Sequence, residues 1–202
     1  MKLKYEISAS LISVTTTMFN YQNINNIANL RKMKTKKIPI PENSLICSYL
    51  PANYSDSFEC NCVSSKEITP DDMLIALWTT WPIWLKWLFK LRSILVKPFK
   101  LKSDIDDYVE NLKQCLINAK PNKYISVSSK SDEETVMCTI DKHLTFYLSV
   151  IVRKEKEDKK TIITTTLVNF HNILGRCYFT VIYPFHTIIV PTMVKHFLKK
   201  MK

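Results

Sequence analysis

The chain has 202 residues, of which 46% are hydrophobic, enough for one globular domain with a sizeable core and a tail. The formal net charge is +11, and the sequence contains one glycine. Because GxxxxGK[ST] and GxGxxG phosphate-binding loops and the GxSxG nucleophile elbow all need several glycines, this composition excludes those three kinds of site.

The positive charge is concentrated at the two ends of the chain. Residues 1–43 hold seven Lys or Arg against two Asp or Glu, and residues 195–202 hold four against none. Residues 44–194 hold 18 against 16, so the central region is nearly neutral. This distribution predicts solvated basic tails and argues against a basic face that binds nucleic acid specifically.

The six cysteines show no disulfide-framework spacing, and no second close pair accompanies Cys60 and Cys62 to make a zinc site. They are predicted to be reduced, buried thiols that act as small hydrophobic side chains, with Phe58, Cys60 and Cys62 on one face of a strand. Glu6 and the Ser/Thr run after it interrupt any signal-peptide core, so a cytoplasmic location is expected. No metal or cofactor is predicted.

Residues 1–43 are basic and Asn-rich, with Pro39 and Pro41 near their end, and they are predicted to be a disordered extension. Residues 44–202 are predicted to form a single domain. Its first strand is expected from Asp56 to Ser64.

Helices are predicted to follow this strand. Thr69 is a helix cap, Pro70 suits the first turn, and acidic residues come next. The predicted helices run from Thr69 to about Thr80, from Pro82 to about Val96, and from Ser103 to Ala119.

Tryptophan recurs at every third position from Trp78 through Trp81 and Trp84 to Trp87. Such a stripe is most often core packing at helical spacing. The alternatives are the wall of an apolar ligand site or an anchor at a membrane interface.

Four more strands are predicted after the helices. Two run from Lys123 to Ser129 and from Glu134 to Ile140; the other two, His143–Val152 and Thr161–Phe170, form a hairpin around the charged residues 153–160. A register symmetric about that loop pairs Val152 with Thr161 and His143 with Phe170. The expected core face carries Leu144, Phe146, Leu148 and Val150 with Ile163, Thr165 and Leu167. The other face, which includes Tyr147, is predicted to meet solvent or a half-polar cavity.

The same register brings several polar residues to one end of the sheet. Asp141, His143, His171, Asn172 and Arg176 form this predicted polar cluster, and the helical His186 is a further expected partner. A structural network that fixes the turn is the favoured interpretation, and a metal-binding or acid–base site is the alternative.

The segment Cys177–Val194 contains 18 residues without a formal charge, which meets the length rule for a membrane helix. It also contains Pro184, Pro191 and His186. Because an apolar sheet face needs a cover, it is predicted to be a Pro-kinked, largely buried helix, with membrane insertion as the alternative.

Several segments resemble a known family. They are Ser48–Phe58, Lys97-Pro98-Phe99, Asp141–Leu144, His171-Asn172 followed by Gly175-Arg176 and Tyr178-Phe179, and Pro184-Phe185-His186. In this order they resemble domain-of-unknown-function family 2867, found in bacteria alone or fused to an NAD(P)-binding Rossmann-like domain. The resemblance covers roughly Leu45 to the C-terminus and implies a fold similar to the helix-grip superfamily, often with an apolar ligand cavity. This chain lacks the dinucleotide-binding half and has a long N-terminus.

The expected fold is therefore α+β: a curved antiparallel sheet of five to seven strands wrapped on a long C-terminal helix, with two or three helices after the first strand. The favoured function is binding of a small apolar or amphipathic molecule between sheet and helix. The alternatives are an enzyme that uses the polar cluster at the cavity mouth, and a protein with weak membrane-surface contact. The candidate pocket residues besides that cluster are Trp78, Trp81, Trp84 and Tyr147.

Overall fold

A computed structural model describes residues 35–85, 87, 105–118, 125–156 and 158–200. In chain order, the elements are β1 (Thr35–Lys37), a 3₁₀ helix (Leu45–Tyr49), β2 (Tyr54–Val63), α1 (Pro70–Thr79), α2 (Ile105–Asn118), β3 (Ile125–Lys130), β4 (Glu134–Ile140), β5 (Leu144–Lys154), β6 (Lys159–Phe170) and α3 (Ile173–Lys200). The predicted second helix, from Pro82 to Val96, lies largely outside the described residues.

The six strands form one curved antiparallel sheet in the order β1-β2-β6-β5-β4-β3. The three helices contribute to a large hydrophobic cluster on one face of this sheet, which we call the helix side. The 3₁₀ helix packs on the opposite face, which we call the far side. The predicted α+β class, with a curved sheet and a long C-terminal helix, is confirmed.

The hairpin between β5 and β6 differs from the predicted register by one residue. Leu144 pairs with Phe170, and Val152 pairs with Ile162. The prediction was wrong because the last pair of the hairpin is Lys154 with Lys160, and Asp158 in the turn lies in the left-handed region at φ 59°. A one-residue slip changes which side chains share a face. Leu144, Phe146, Leu148 and Val150 therefore share the helix side with Ile162, Thr164, Thr166 and Val168.

The start of α1 follows the predicted chemistry. Thr69 accepts a hydrogen bond from the Asp72 backbone N–H, and the Asp72 carboxylate accepts one from the Thr69 backbone N–H. This capping box, with Pro70 in the first turn, satisfies donors that the helix leaves free. The capping box fixes the point at which α1 begins after β2. Met73 and Leu74, in the first turns of α1, are buried in the core.

The core on the helix side contains the residues that the alternation along β2 predicts. Phe58, Cys60 and Cys62 are all buried. Cys115 of α2 belongs to the same core, and Cys138 is buried as well. Burial raises the pKa of the Cys60 thiol, so the thiol stays protonated and behaves as a small hydrophobic group. None of the six cysteines forms a disulfide. Two differ from the prediction of buried thiols: Cys47 is half-buried, and Cys177 is exposed on α3.

The far side is held by a buried carboxylate. Glu134 accepts hydrogen bonds from Ser44 Oγ at 2.6 Å, from the Leu45 backbone N–H at 2.8 Å and from Ser149 Oγ at 2.5 Å. Tyr49 of the 3₁₀ helix stacks on Tyr147, with ring centroids 4.4 Å apart. Because both oxygens of the Glu134 carboxylate accept hydrogen bonds, Glu134 connects the start of the 3₁₀ helix to the sheet, and this helix covers the far side.

The sheet begins inside the segment that was expected to be an extension. Lys36 of β1 pairs with Glu59 of β2, and their side chains form an ion pair at 3.2 Å. Ile38 N–H donates to the Ser57 carbonyl just beyond this strand. The expected disorder of residues 1–34 concerns residues outside the described ranges.

The C-terminal helix α3 continues through Pro184 and Pro191. By length and composition alone it could cross a bilayer, a test that core helices also pass. The prediction of a largely buried helix is wrong: only 22% of its most apolar 18-residue window is buried. The reason is that one narrow face, with Phe179, Val190 and Met193, is sufficient to cover the sheet.

Candidate functional site

A group of polar side chains lies on the helix side of the sheet, under the first half of α3. Alternation along β2 puts Tyr54 and Asp56 on the same face as Phe58 and Cys60. Asp56 is thus a carboxylate at a core position, and its side chain is 0% exposed. Buried carboxylates are rare unless partners compensate for the lost hydration.

Two side chains contact one oxygen of this carboxylate. His186 Nδ1 lies 3.1 Å from Asp56 Oδ2, and the Tyr54 hydroxyl donates to the same oxygen at 2.5 Å. The His186 side chain is 13% exposed, so the pair is shielded from water on both sides. The contact joins α3 to β2 across the interior.

Three further oxygens at this place have no hydrogen-bond partner among the described residues. They are Asp56 Oδ1, Thr164 Oγ1 and Thr166 Oγ1. Thr166 is the cross-strand partner of Asp56, which puts their Cβ atoms about 5 Å apart, and Thr164 is two residues along the same face of β6. We call Tyr54, Asp56, Thr164, Thr166 and His186 the inner polar site.

Aromatic rings surround the inner polar site. The Tyr54 ring lies 4.6 Å from the Phe179 ring and 5.6 Å from the Tyr183 ring. Phe170 packs on Phe179 at 5.5 Å. The surroundings combine apolar walls with a few convergent polar atoms, the composition typical of small-molecule sites.

The environment favours the neutral form of the Tyr54 phenol. Burial raises its pKa well above the ordinary value, and the hydrogen bond to the Asp56 carboxylate raises it further. The hydroxyl therefore remains a donor to Asp56 at neutral pH.

The predicted polar cluster is formed in part, at the end of the sheet. His143 Nδ1 lies 3.2 Å from Asn172 Oδ1, and Asn172 Nδ2 donates to the Lys142 carbonyl at 3.2 Å. Asn172 Oδ1 also accepts from the Gly175 backbone N–H at 3.1 Å, so Asn172 caps α3. His171 Nε2 lies 2.9 Å from Thr145 Oγ1. These contacts fix the entry into the helix.

Asp141 and Arg176 are not brought into that cluster. Asp141 Oδ1 accepts from the Lys142 backbone N–H at 2.6 Å. The Arg176 side chain is exposed and makes no ion pair with the described residues. Arg176 follows Gly175 on a helix, not in a tight turn, and the helix directs it into solvent.

His186 belongs to the inner polar site and not to the predicted cluster, because about four turns of α3 separate it from Asn172. Tyr54 and Asp56 were not among the predicted site residues. A signal for them exists in the sequence: extending the Phe58–Cys60–Cys62 alternation back by two steps puts both on the buried face.

The remaining predicted pocket residues lie elsewhere. Trp81 is buried in the core and donates from Nε1 to the Leu77 carbonyl at 2.6 Å, and Trp78 packs against the same core. Trp84 is 46% exposed, and Tyr147 is on the far side of the sheet. None of these four belongs to the inner polar site.

A depression of about 170 Å³ lies on the β5–β6 turn. It is lined mainly by charged residues, and two of them, Lys154 and Glu67, form an ion pair at 2.7 Å. Within the described ranges, no group of three His, Cys, Asp or Glu side chains has the geometry of a metal site. The inner polar site remains the strongest candidate.

Comparison with known proteins identifies a family. The sequence model of DUF2867, described as a protein of unknown function, matches residues 49–193. No curated protein matches the sequence. The matched range contains β2, α1, the β3–β6 strands and most of α3, and with them every residue of the inner polar site. On this match over most of its length, the chain belongs to the DUF2867 family.

Proposed function

We propose that the protein binds a small, mostly apolar molecule at the inner polar site, between the sheet and α3. The observation that carries this proposal is the set of three buried, unpartnered oxygens on Asp56, Thr164 and Thr166. Native proteins leave few buried polar atoms without a partner, and each costs about 1–3 kcal/mol. Hydrogen bonds between a bound ligand and these three oxygens would remove that cost.

The side chains indicate the chemistry of the ligand. Asp56 Oδ1 is an acceptor and so calls for a hydroxyl, amide or amine hydrogen on the ligand. The hydroxyls of Thr164 and Thr166 can donate or accept. The rings of Tyr54 and Phe179 offer apolar contact beside them. The expected ligand therefore has an apolar body with one polar, hydrogen-donating end.

Native mass spectrometry of protein purified from its own host tests the proposal. The wild type should carry a small molecule, and Asp56→Asn, which replaces the acceptor by an amide of the same shape, should lose it. Glu59→Gln is the matched control, because it makes the same kind of change on the same strand at a half-exposed position paired with Lys36. The control should retain the molecule. A wild type without an adduct, or an adduct retained in Asp56→Asn, would overturn the proposal.

Acid–base chemistry is a second candidate, favoured by the contact between Asp56 and His186. When Nδ1 carries the proton and donates to Asp56, Nε2 has a free lone pair and can accept a proton. An Asp that holds a His in one tautomer is a recurring arrangement in catalysis.

The variant His186→Gln separates this candidate from simple binding. If the site turns over its ligand, the variant purified from the host should retain a molecule whose mass differs from that of the molecule in the wild type. If the site only binds, both proteins should carry the same molecule. Identical masses would therefore rule against catalysis by His186.

A further inference from the structure

The outward face of α3 presents an apolar stripe to solvent. Leu174, Val181, Phe185 and Ile188 recur at helical spacing and are 42%, 60%, 45% and 59% exposed. Thr192, Lys195 and Lys199 continue the same line toward the C-terminus. We call these seven residues the outer stripe. Soluble monomers seldom expose contiguous apolar surface of this kind without a function.

The opposite face of the same helix is fixed to the sheet. Phe179, Val190 and Met193 are buried there, and His186 contacts Asp56. While these contacts hold, α3 cannot lie across a bilayer. A helix attached by one face can instead lie along a surface with its other face in contact.

The charges on α3 all have one sign. Between Ile173 and Lys200 the helix contains Arg176, Lys195, Lys199 and Lys200 and no acidic residue. Burial, and then the charges of Lys200 and Lys199, lower the pKa of His196, so His196 adds no positive charge to theirs at neutral pH. Exposed apolar side chains and basic residues on one helix are the two features that attract a helix to an anionic membrane surface.

We propose that the outer stripe of α3 docks this protein on an anionic lipid surface. Charge complementarity selects this occupant over a second copy of the chain, because α3 offers no acidic residue to pair with Lys195 or Lys199 of another copy. A negatively charged bilayer matches both the apolar stripe and Lys195 and Lys199.

Co-sedimentation with vesicles tests this proposal, using phosphatidylcholine alone and phosphatidylcholine mixed with phosphatidylserine. The wild type should bind the mixed vesicles and lose binding at high salt. Ile188→Asp should lower the partition coefficient about tenfold or more, because it puts a charge against the acyl boundary and repels anionic headgroups. Lys199→Gln should lower it about fivefold, the effect of one basic residue near such a surface.

Ile117→Asp is the matched control, since Ile117 is an exposed isoleucine, at 75%, on a different helix. This variant should bind like the wild type. The proposal is overturned if the wild type does not bind mixed vesicles, or if Ile117→Asp and Ile188→Asp weaken binding equally. It is also overturned if light scattering shows a dimer that Ile188→Asp dissociates while vesicle binding is absent, because the stripe would then be a protein interface.

Discussion

Gly175 lies directly against the backbone carbonyl of His143: a Cβ atom added to Gly175 would be 2.0 Å from that oxygen. The same oxygen accepts a hydrogen bond from the His171 backbone N–H at 2.9 Å. The single glycine in the chain is therefore required by a close approach of α3 to the start of β5, and not by an unusual backbone angle.

Gly175→Ala should destabilise the protein by about 2–4 kcal/mol, because backbone atoms would have to move to admit one methyl group. Chemical denaturation measures the loss. Thr180→Ala, at an exposed position on the same helix, should change stability little. Equal stability of Gly175→Ala and the wild type would show that α3 does not pack here as described.

Arg176→Ala should leave stability within about 0.5 kcal/mol of the wild type, because the side chain is exposed. Asn172→Ala, one turn earlier, should cost about 1 kcal/mol or more, since it removes the cap of α3 and the partner of His143. Thermal or urea unfolding of the two variants compares them. A larger loss of unfolding free energy for Arg176→Ala than for Asn172→Ala would show that Arg176 does belong to the polar cluster.

Glu134→Ala should be among the most damaging single changes on the far side, with a loss of about 3 kcal/mol or more. It leaves the hydroxyls of Ser44 and Ser149 and the Leu45 N–H without their acceptor. Glu133→Ala is the control, because Glu133 is exposed beside it. Similar unfolding midpoints for the two variants would show that the 3₁₀ helix is held by other contacts.

The sequence predicts most of the architecture because its strands and helix starts rest on local chemistry. Glu134–Ile140 is a strand with the predicted bounds, and Thr69 caps α1 as expected. Composition could not supply the hairpin register, which depends on Asp158 adopting a left-handed conformation. That one-residue difference moves Thr164 and Thr166 to the helix side, where the polar site lies.

The site itself was harder to predict than the fold. Proximity along the hairpin suggested the cluster of His143, His171 and Asn172, and these residues do lie together. Asp56 and His186 are 130 positions apart, so their contact depends on where α3 crosses the sheet. The direction of the His186 side chain can be worked out from helical spacing only when the position at which α3 crosses the sheet is known.

Tyr54 should make the protein sensitive to alkali. Its pKa is raised in the folded state, so its neutral form contributes stability that is complete below about pH 10, the ordinary tyrosine value, and decreases as pH rises above it. Tyr54→Phe should therefore flatten the fall of unfolding free energy with pH in that range. Equal slopes for wild type and Tyr54→Phe would contradict the burial of this phenol.

Unfolding of two neighbouring threonine variants tests whether the inner polar site has oxygens without a partner in the folded chain. Thr165 and Thr166 are both 0% exposed on opposite faces of β6; Thr165 Oγ1 shares a hydrogen bond with Ser57 Oγ at 2.8 Å, whereas Thr166 Oγ1 has no partner among the described residues. In ligand-free protein, Thr166→Val should preserve or raise the free energy of unfolding, while Thr165→Val should lower it by about 1–2 kcal/mol. A loss for Thr166→Val as large as that for Thr165→Val would show that the Thr166 hydroxyl already has a hydrogen-bond partner within the protein, and the inner polar site would then have no need of a ligand there.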